Sequence, residues 1–127
     1  MTLVAIVAML ALIEYVVFVW LAGQARGRHN IAAPATTGHP DYERKFRVQE
    51  NTIEQLVIFL PALYFFAQFV DPMAASALGL VFIVGRALYA RAYIVGPANR
   101  GPGFLLTFGT NVILLVGGIV GALVSLA

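Results

Sequence analysis

Residues 40–70 read PDYERKFRVQENTIEQLVIFLPALYFFAQFV, and this stretch decides the architecture. Pro40 followed by Asp41 and Glu43 has the form of a helix start: proline suits the first helical position, and the helix dipole favours acids in the first turn. No breaker follows until Pro61. A helix over residues 40–70 would be about 45 Å long at ~1.5 Å per residue, against a hydrocarbon core of about 30 Å. Its first turns therefore extend into the cytoplasm, residues 52–70 cross the membrane, and Pro61 is expected to kink it there. Glu43, Arg47, Asn51 and Glu54 share one helical face, so a polar stripe runs straight into the apolar segment.

The rest of the chain agrees with a membrane setting. Of 127 residues, 61% are hydrophobic and 11% charged, with a mean hydropathy of +0.87, whereas a soluble domain has about a quarter of its residues charged. Four apolar segments have bilayer length: residues 2–24, 52–70, 73–95 and 104–126. This predicts an all-α protein, a four-transmembrane-helix bundle forming one unit over residues 1–127. The first segment lacks a basic leader and a small-residue cleavage site, and it reads as a retained helix. Asp71-Pro72 marks a tight turn between helices two and three, and Gly96-Pro97 and Gly101-Pro102-Gly103 punctuate the third link. Residues 26–39 form the one long loop, an ordered but irregular crossing.

Arg26, Arg28, Arg44, Lys45, Arg47, Arg86, Arg91 and Arg100 all belong to the side of the first and third loops, and only Asp71 lies on the other. The positive-inside rule places those loops in the cytoplasm and both termini opposite, in the inner membrane if the cell is bacterial. A net charge of +2 is accounted for by anionic membrane lipids and does not call for nucleic acid. The chain has no cysteine, which excludes disulfides, thiolate metal sites and cysteine nucleophiles. Any thiol chemistry must use a thiol brought by the substrate. His29 and His39 both lie in the long loop without metal-ligand spacing, so no metal is expected.

A second polar stripe closes the third segment. Arg86, Tyr89 and Tyr93 fall at i, i+3 and i+7, and Arg86 follows thirteen uncharged residues of its own segment. A charge in lipid costs several kcal/mol, so Arg86 needs a partner, and Glu54 of the neighbouring helix is the candidate. The tyrosines also fit an interfacial aromatic belt. Arg100, in a Gly/Pro-bounded loop, suits an anion or thiolate holder, or a simple positive-inside anchor. Glu14 stands alone in the first helix. It reads as a proton or cation site, or as a buried acceptor bonded to Asn111 or Thr107, with Tyr64 a further donor. Gly117-Gly118-Ile119-Val120-Gly121 provides a small-residue face for close helix packing.

The run TTGHPDYERKFRVQENTIE over residues 36–54 resembles the E-R-x-x-R-x-Q-x-N-x-x-E signature of the membrane-associated proteins in eicosanoid and glutathione metabolism, the MAPEG family. Arg86, Tyr89 and Tyr93, followed by Arg100, resemble that family's R-x-x-Y-x-x-x-Y segment and later arginine. Within the family, the likeness is to the branch of leukotriene C4 synthase and microsomal glutathione transferase 2. The resemblance implies a homotrimer with glutathione held between adjacent subunits as cosubstrate. It implies that Arg47, Asn51, Glu54, Tyr89 and Tyr93 bind the tripeptide, with Arg86 among them. It implies that Gln49 and Arg26 come from the neighbouring subunit and that Arg100 stabilises the thiolate. Gln55 stands where leukotriene C4 synthase has a tyrosine, and Gly27 where it has a second loop arginine, with Arg28 one residue away; these departures weaken the likeness for leukotriene synthesis and leave it intact for glutathione binding.

The expected activity is a membrane glutathione transferase, with glutathione peroxidase activity towards lipid hydroperoxides as a second expectation, acting on an apolar electrophile or lipid that arrives from the bilayer. Two rivals are a non-catalytic lipid-binding scaffold of the same fold and a small proton-coupled multidrug exporter using Glu14. Retention of Arg100 and both tyrosines counts against the first. The clustered arginines count against the second, since exporters of cations avoid them.

Overall fold

The computed structural model describes residues 1–96 and 101–127. They form four helices: α1 (Thr2–Arg28), α2 (Pro40–Phe69), α3 (Pro72–Val95) and α4 (Gly101–Leu126). All four are long and apolar enough to cross a membrane.

The helix starts follow from local chemistry. His39 caps α2, its Nδ1 accepting from the Asp41 N–H at 3.1 Å, and Pro40 takes the first helical position. The Glu43 carboxylate reaches back to accept from the Gly38 N–H at 3.0 Å. Asp71 caps α3 by accepting from the Ala74 N–H at 2.7 Å, with Pro72 following it. Val70 closes α2 and Asp71 opens α3, so only two residues separate the spans and α2 and α3 form the expected hairpin. Two boundaries differ from the apolar segments. α1 continues past Gln24 to Arg28, and α4 begins at Gly101 and not Phe104. Apolarity marks the edge of the membrane and not the end of the helix. Pro102 sits in the first turn of α4, where a missing N–H costs little.

The long link between α1 and α2 is clasped by Arg26. Its Nη1 donates to the Ala35 carbonyl at 2.9 Å and the Ile31 carbonyl at 3.3 Å. Its Nη2 donates to the Tyr42 hydroxyl, and the guanidinium lies 4.7 Å from the centre of the Tyr42 ring. His29 stacks on His39 at 3.6 Å and bonds Asp41 Oδ2 at 2.9 Å. Both histidines therefore tie the loop to the start of α2.

α2 and α3 each pack against all three other helices, and α1 and α4 flank them. The core joins Leu56, Leu63 and Phe66 of α2 to Phe82 and Leu114, with Phe59 and Phe82 stacked at 3.9 Å. The small-residue face of α4 packs on α2: a Cβ on Gly121 would lie 2.7 Å from the Phe69 carbonyl oxygen, and one on Gly117 2.6 Å from the Phe66 ring. Leu10, Ile13, Val17, Leu105 and Ile119 point outward, as lipid-facing positions do.

Candidate functional site

The two polar stripes meet where the N-terminal half of α2, the C-terminal end of α3 and the N-terminal end of α4 converge. A cavity of about 320 Å³ there is lined by Arg47, Asn51, Tyr89, Tyr93, Gly101 and Phe104. Ligand pockets begin at about 300 Å³. Tyr89 is buried, Tyr93 half-buried, and their rings lie 5.5 Å apart. α4 can come this close because Gly103 has no side chain: a Cβ there would lie 2.8 Å from the Gly85 carbonyl oxygen and would collide with the Tyr89 backbone.

Behind this wall lies Arg86, fully buried at 0% exposure. Its Nη1 donates to Asn51 Oδ1 at 2.7 Å and to Thr52 Oγ1 at 3.3 Å, and its Nη2 donates to Thr107 Oγ1 at 3.0 Å. The guanidinium also lies 4.4 Å from the centre of the Tyr89 ring. One arginine thereby ties α3 to α2 and α4.

This corrects the expected pairing with Glu54. Glu54 is exposed and pairs with Arg47 at 3.5 Å. The reason is angular: Arg86 approaches the face of α2 that carries Thr52, and Glu54 stands about 200° further round at ~3.6 residues per turn. Glu14 is not bonded to Asn111 or Thr107 either. Asn111 donates to Gln55 Oε1 at 3.0 Å, Thr107 serves Arg86, and Tyr64 is exposed. Glu14 Oε1 is buried with no hydrogen-bond partner among the described residues.

Of the residues named from the sequence, Arg47, Asn51, Tyr89 and Tyr93 line the cavity. Arg86 supports it from behind. Gln49 is half-buried on α2, and Arg26 is engaged with its own loop. Neither they nor Glu54 are among its lining residues. Arg100 lies outside the described residues. Thr52, Thr107 and Phe104 also belong to the site, and the spacing of the two polar stripes does not point to them. The signal available for the threonines was polarity inside apolar helices at the depth of Arg86.

A second cavity, of about 480 Å³, lies between the outer faces of α2 and α4. Its lining, including Val57, Pro61, Phe65, Leu114 and Ile119, is almost wholly apolar.

A membrane-spanning four-helix bundle with a polar, arginine-bearing cavity at one end defines a class of integral membrane protein. The chain belongs to the MAPEG family, whose model matches residues 4–120. It is 44% identical over 119 residues to an uncharacterised protein of the cyanobacterium Synechocystis, covering 94% of this chain and 87% of that one. It is 35% identical over 119 residues to human microsomal glutathione S-transferase 2, covering 94% of this chain and 81% of the relative. Guinea-pig leukotriene C4 synthase is 33% identical over 91 residues, which cover 72% of this chain and 61% of the synthase.

Proposed function

We propose that this protein is a membrane-embedded glutathione transferase that activates the glutathione thiolate for attack on an apolar electrophile, with lipid hydroperoxides as further substrates. The observation that carries this reading is the cavity where Arg47, Asn51, Tyr89 and Tyr93 converge at one end of a transmembrane bundle. Glutathione presents two carboxylates, an ammonium and a thiol. The Arg47 guanidinium matches a carboxylate, and Glu54 matches the ammonium. The names of the glutathione transferase and leukotriene C4 synthase relatives support the same ligand.

In the reaction, the thiol gives its proton to solvent, the sulfur attacks the electrophilic carbon, a C–S bond forms, and the leaving group departs with the bonding pair. Arg100 is assigned to the sulfur, because a cation there lowers the thiol pKa and raises the thiolate fraction at neutral pH. A homotrimer completes the pocket: Gln49 and Arg26 are assigned to the neighbouring subunit's site, and within one protomer neither lines the cavity. The first and third loops face the cytoplasm, where glutathione is abundant.

The test is thermal stabilisation of the detergent-purified protein by glutathione and by S-hexylglutathione, followed by conjugation to an apolar aryl halide. Stabilisation by both together with turnover is the expected result. No stabilisation by either overturns the reading. Stabilisation by a lipid alone, without turnover, would favour the scaffold, for which the apolar cavity on α2 and α4 is the supporting feature.

A further inference from the structure

Glu14 is the one carboxylate of α1, and nothing in the reaction above uses it. α1 and α3 run side by side in fixed register. Val7 packs at Gly79, and Phe18 belongs to the cluster that holds Ala90 and Tyr89. Continuing that register places Glu14 level with Arg86. Each carries a buried atom with no hydrogen-bond partner among the described residues, and the two are of opposite kind: the acceptor Glu14 Oε1 and the donor Arg86 Nε. The three groups that Arg86 does reach, on Asn51, Thr52 and Thr107, are neutral. A guanidinium buried in a membrane bundle needs a counter-charge. Glu54, the alternative, is exposed and occupied by Arg47.

What Arg86 does to Asn51 gives this pair its consequence. A guanidinium can only donate, so the Asn51 oxygen must be the atom that faces it. The amide oxygen is then spent inside the wall, and what Asn51 has left for the cavity is its two N–H donors. The cavity is thereby set to receive an acceptor such as a carboxylate.

We propose that Glu14 is a positioning residue: as the counter-ion of Arg86, it holds the guanidinium against Asn51 and so fixes the Asn51 amide with its N–H groups presented to the ligand. Without that charge, the guanidinium is drawn towards water at the cavity and the amide is released to rotate. The proposal rests on glutathione as the ligand only for its binding arm.

The experiment compares the full-length wild type, Glu14→Gln, Asn51→Ala and the double variant in detergent. The Asn51 side-chain amide resonance, assigned by its loss in Asn51→Ala, reports the ligand-free state. Glutathione titration reports binding. Glu14→Gln should move the Asn51 amide resonance and weaken glutathione binding about fivefold or more, the usual scale of coupling between linked sites. In the Asn51→Ala background the same change should cost nothing further. An unmoved resonance, or an equal loss of affinity in both backgrounds, overturns the proposal. A purely structural Glu14 would lower thermal stability and leave both readouts in place. If Glu14→Gln does not fold, Glu14→Gln with Arg86→Gln removes both charges. Recovery of folding then supports the counter-ion role, and continued failure overturns it. A moved resonance in a protein that does not bind glutathione would sink the transferase reading and leave the positioning of Asn51 standing.

Discussion

The Arg86 guanidinium stands 2.7 Å from the Asn51 side-chain oxygen, joining a residue with no exposed surface to one that lines the polar cavity. The arginine therefore acts on the pocket from behind its wall. Its other contacts, to Thr52, Thr107 and the Tyr89 ring, draw three helices to the same point. A buried charge that satisfies several neutral groups at once is hard to remove, because each partner is stranded in a place water does not reach.

Arg86→Ala should accordingly cost about 3–5 kcal/mol, the usual scale for breaking a buried charged network from one side. Thermal unfolding of the purified variant checks this. A melting temperature equal to the wild type would mean that the network contributes little to holding α2, α3 and α4 together.

Arg47→Ala and Asn51→Ala should each weaken glutathione binding by tenfold or more, since hydrogen bonds to charged groups are worth about 1.5–3 kcal/mol. Glu54→Ala should also weaken binding but leave folding intact. Its partner is the half-exposed Arg47 and not the buried Arg86, and pairs open to solvent contribute about 0–1 kcal/mol. Calorimetric titration and a thermal melt of each variant separate the two quantities. Full affinity in all three folded variants would remove the cavity as the glutathione site.

Most of the fold was legible because it follows from apolar length and a few capping residues. Pro40, Asp71 and Pro72 mark helix starts directly, and the four spans follow from hydropathy. The spacing of Arg47 with Asn51 and of Arg86 with Tyr89 and Tyr93 told which residues share a face. It did not tell how two faces rotate against each other. That is why charge alone pairs Arg86 with Glu54, when the buried side of α2 offers Asn51 and Thr52. The same limit applied to Glu14, whose depth was clear but whose neighbour on α3 depends on the α1–α3 register. Gly103 was read as punctuation. Its use, letting α4 lie against the α3 backbone beside the cavity, appears only when both helices are in place.

Gly103→Ala tests that close approach. The added methyl would meet the Gly85 carbonyl oxygen at 2.8 Å as well as the Tyr89 backbone, and neither is free to swing aside. Overpacking of this kind costs about 1–3 kcal/mol. Because the strain falls beside Gly101, Phe104 and Tyr89 of the cavity lining, glutathione affinity should fall together with melting temperature. Gly109→Ala, where a Cβ meets nothing within 4 Å, is the matched control and should change neither.

A trimer is expected on purification, since Arg26 and Gln49 are assigned to the neighbouring subunit's site and neither lines the cavity of their own protomer. Native mass measurement in detergent decides the matter. A species that stays monomeric or dimeric at all protein concentrations would require the pocket to be completed within one or two chains.

Arg100→Ala should differ in kind from the variants at Arg47 and Asn51. If Arg100 acts on sulfur, binding through the carboxylates persists and turnover falls. The thiol of bound glutathione should be more acidic than that of free glutathione in the wild type, because a cation beside the sulfur favours the charged form. Removing the cation reverses the sign, so the thiol pKa in the variant should rise towards its free value. The variant would then need a higher pH to reach the same thiolate fraction. The thiolate absorbs in the ultraviolet, so titrating the complex at that wavelength reads the pKa directly, independent of any electrophile. A variant titration that overlays the wild type would make Arg100 a topological anchor and turn attention to the Tyr93 hydroxyl as the group that steadies the sulfur. A wild type whose bound thiol titrates like free glutathione would weigh against the transferase itself, and in favour of a protein that holds lipid without transforming it.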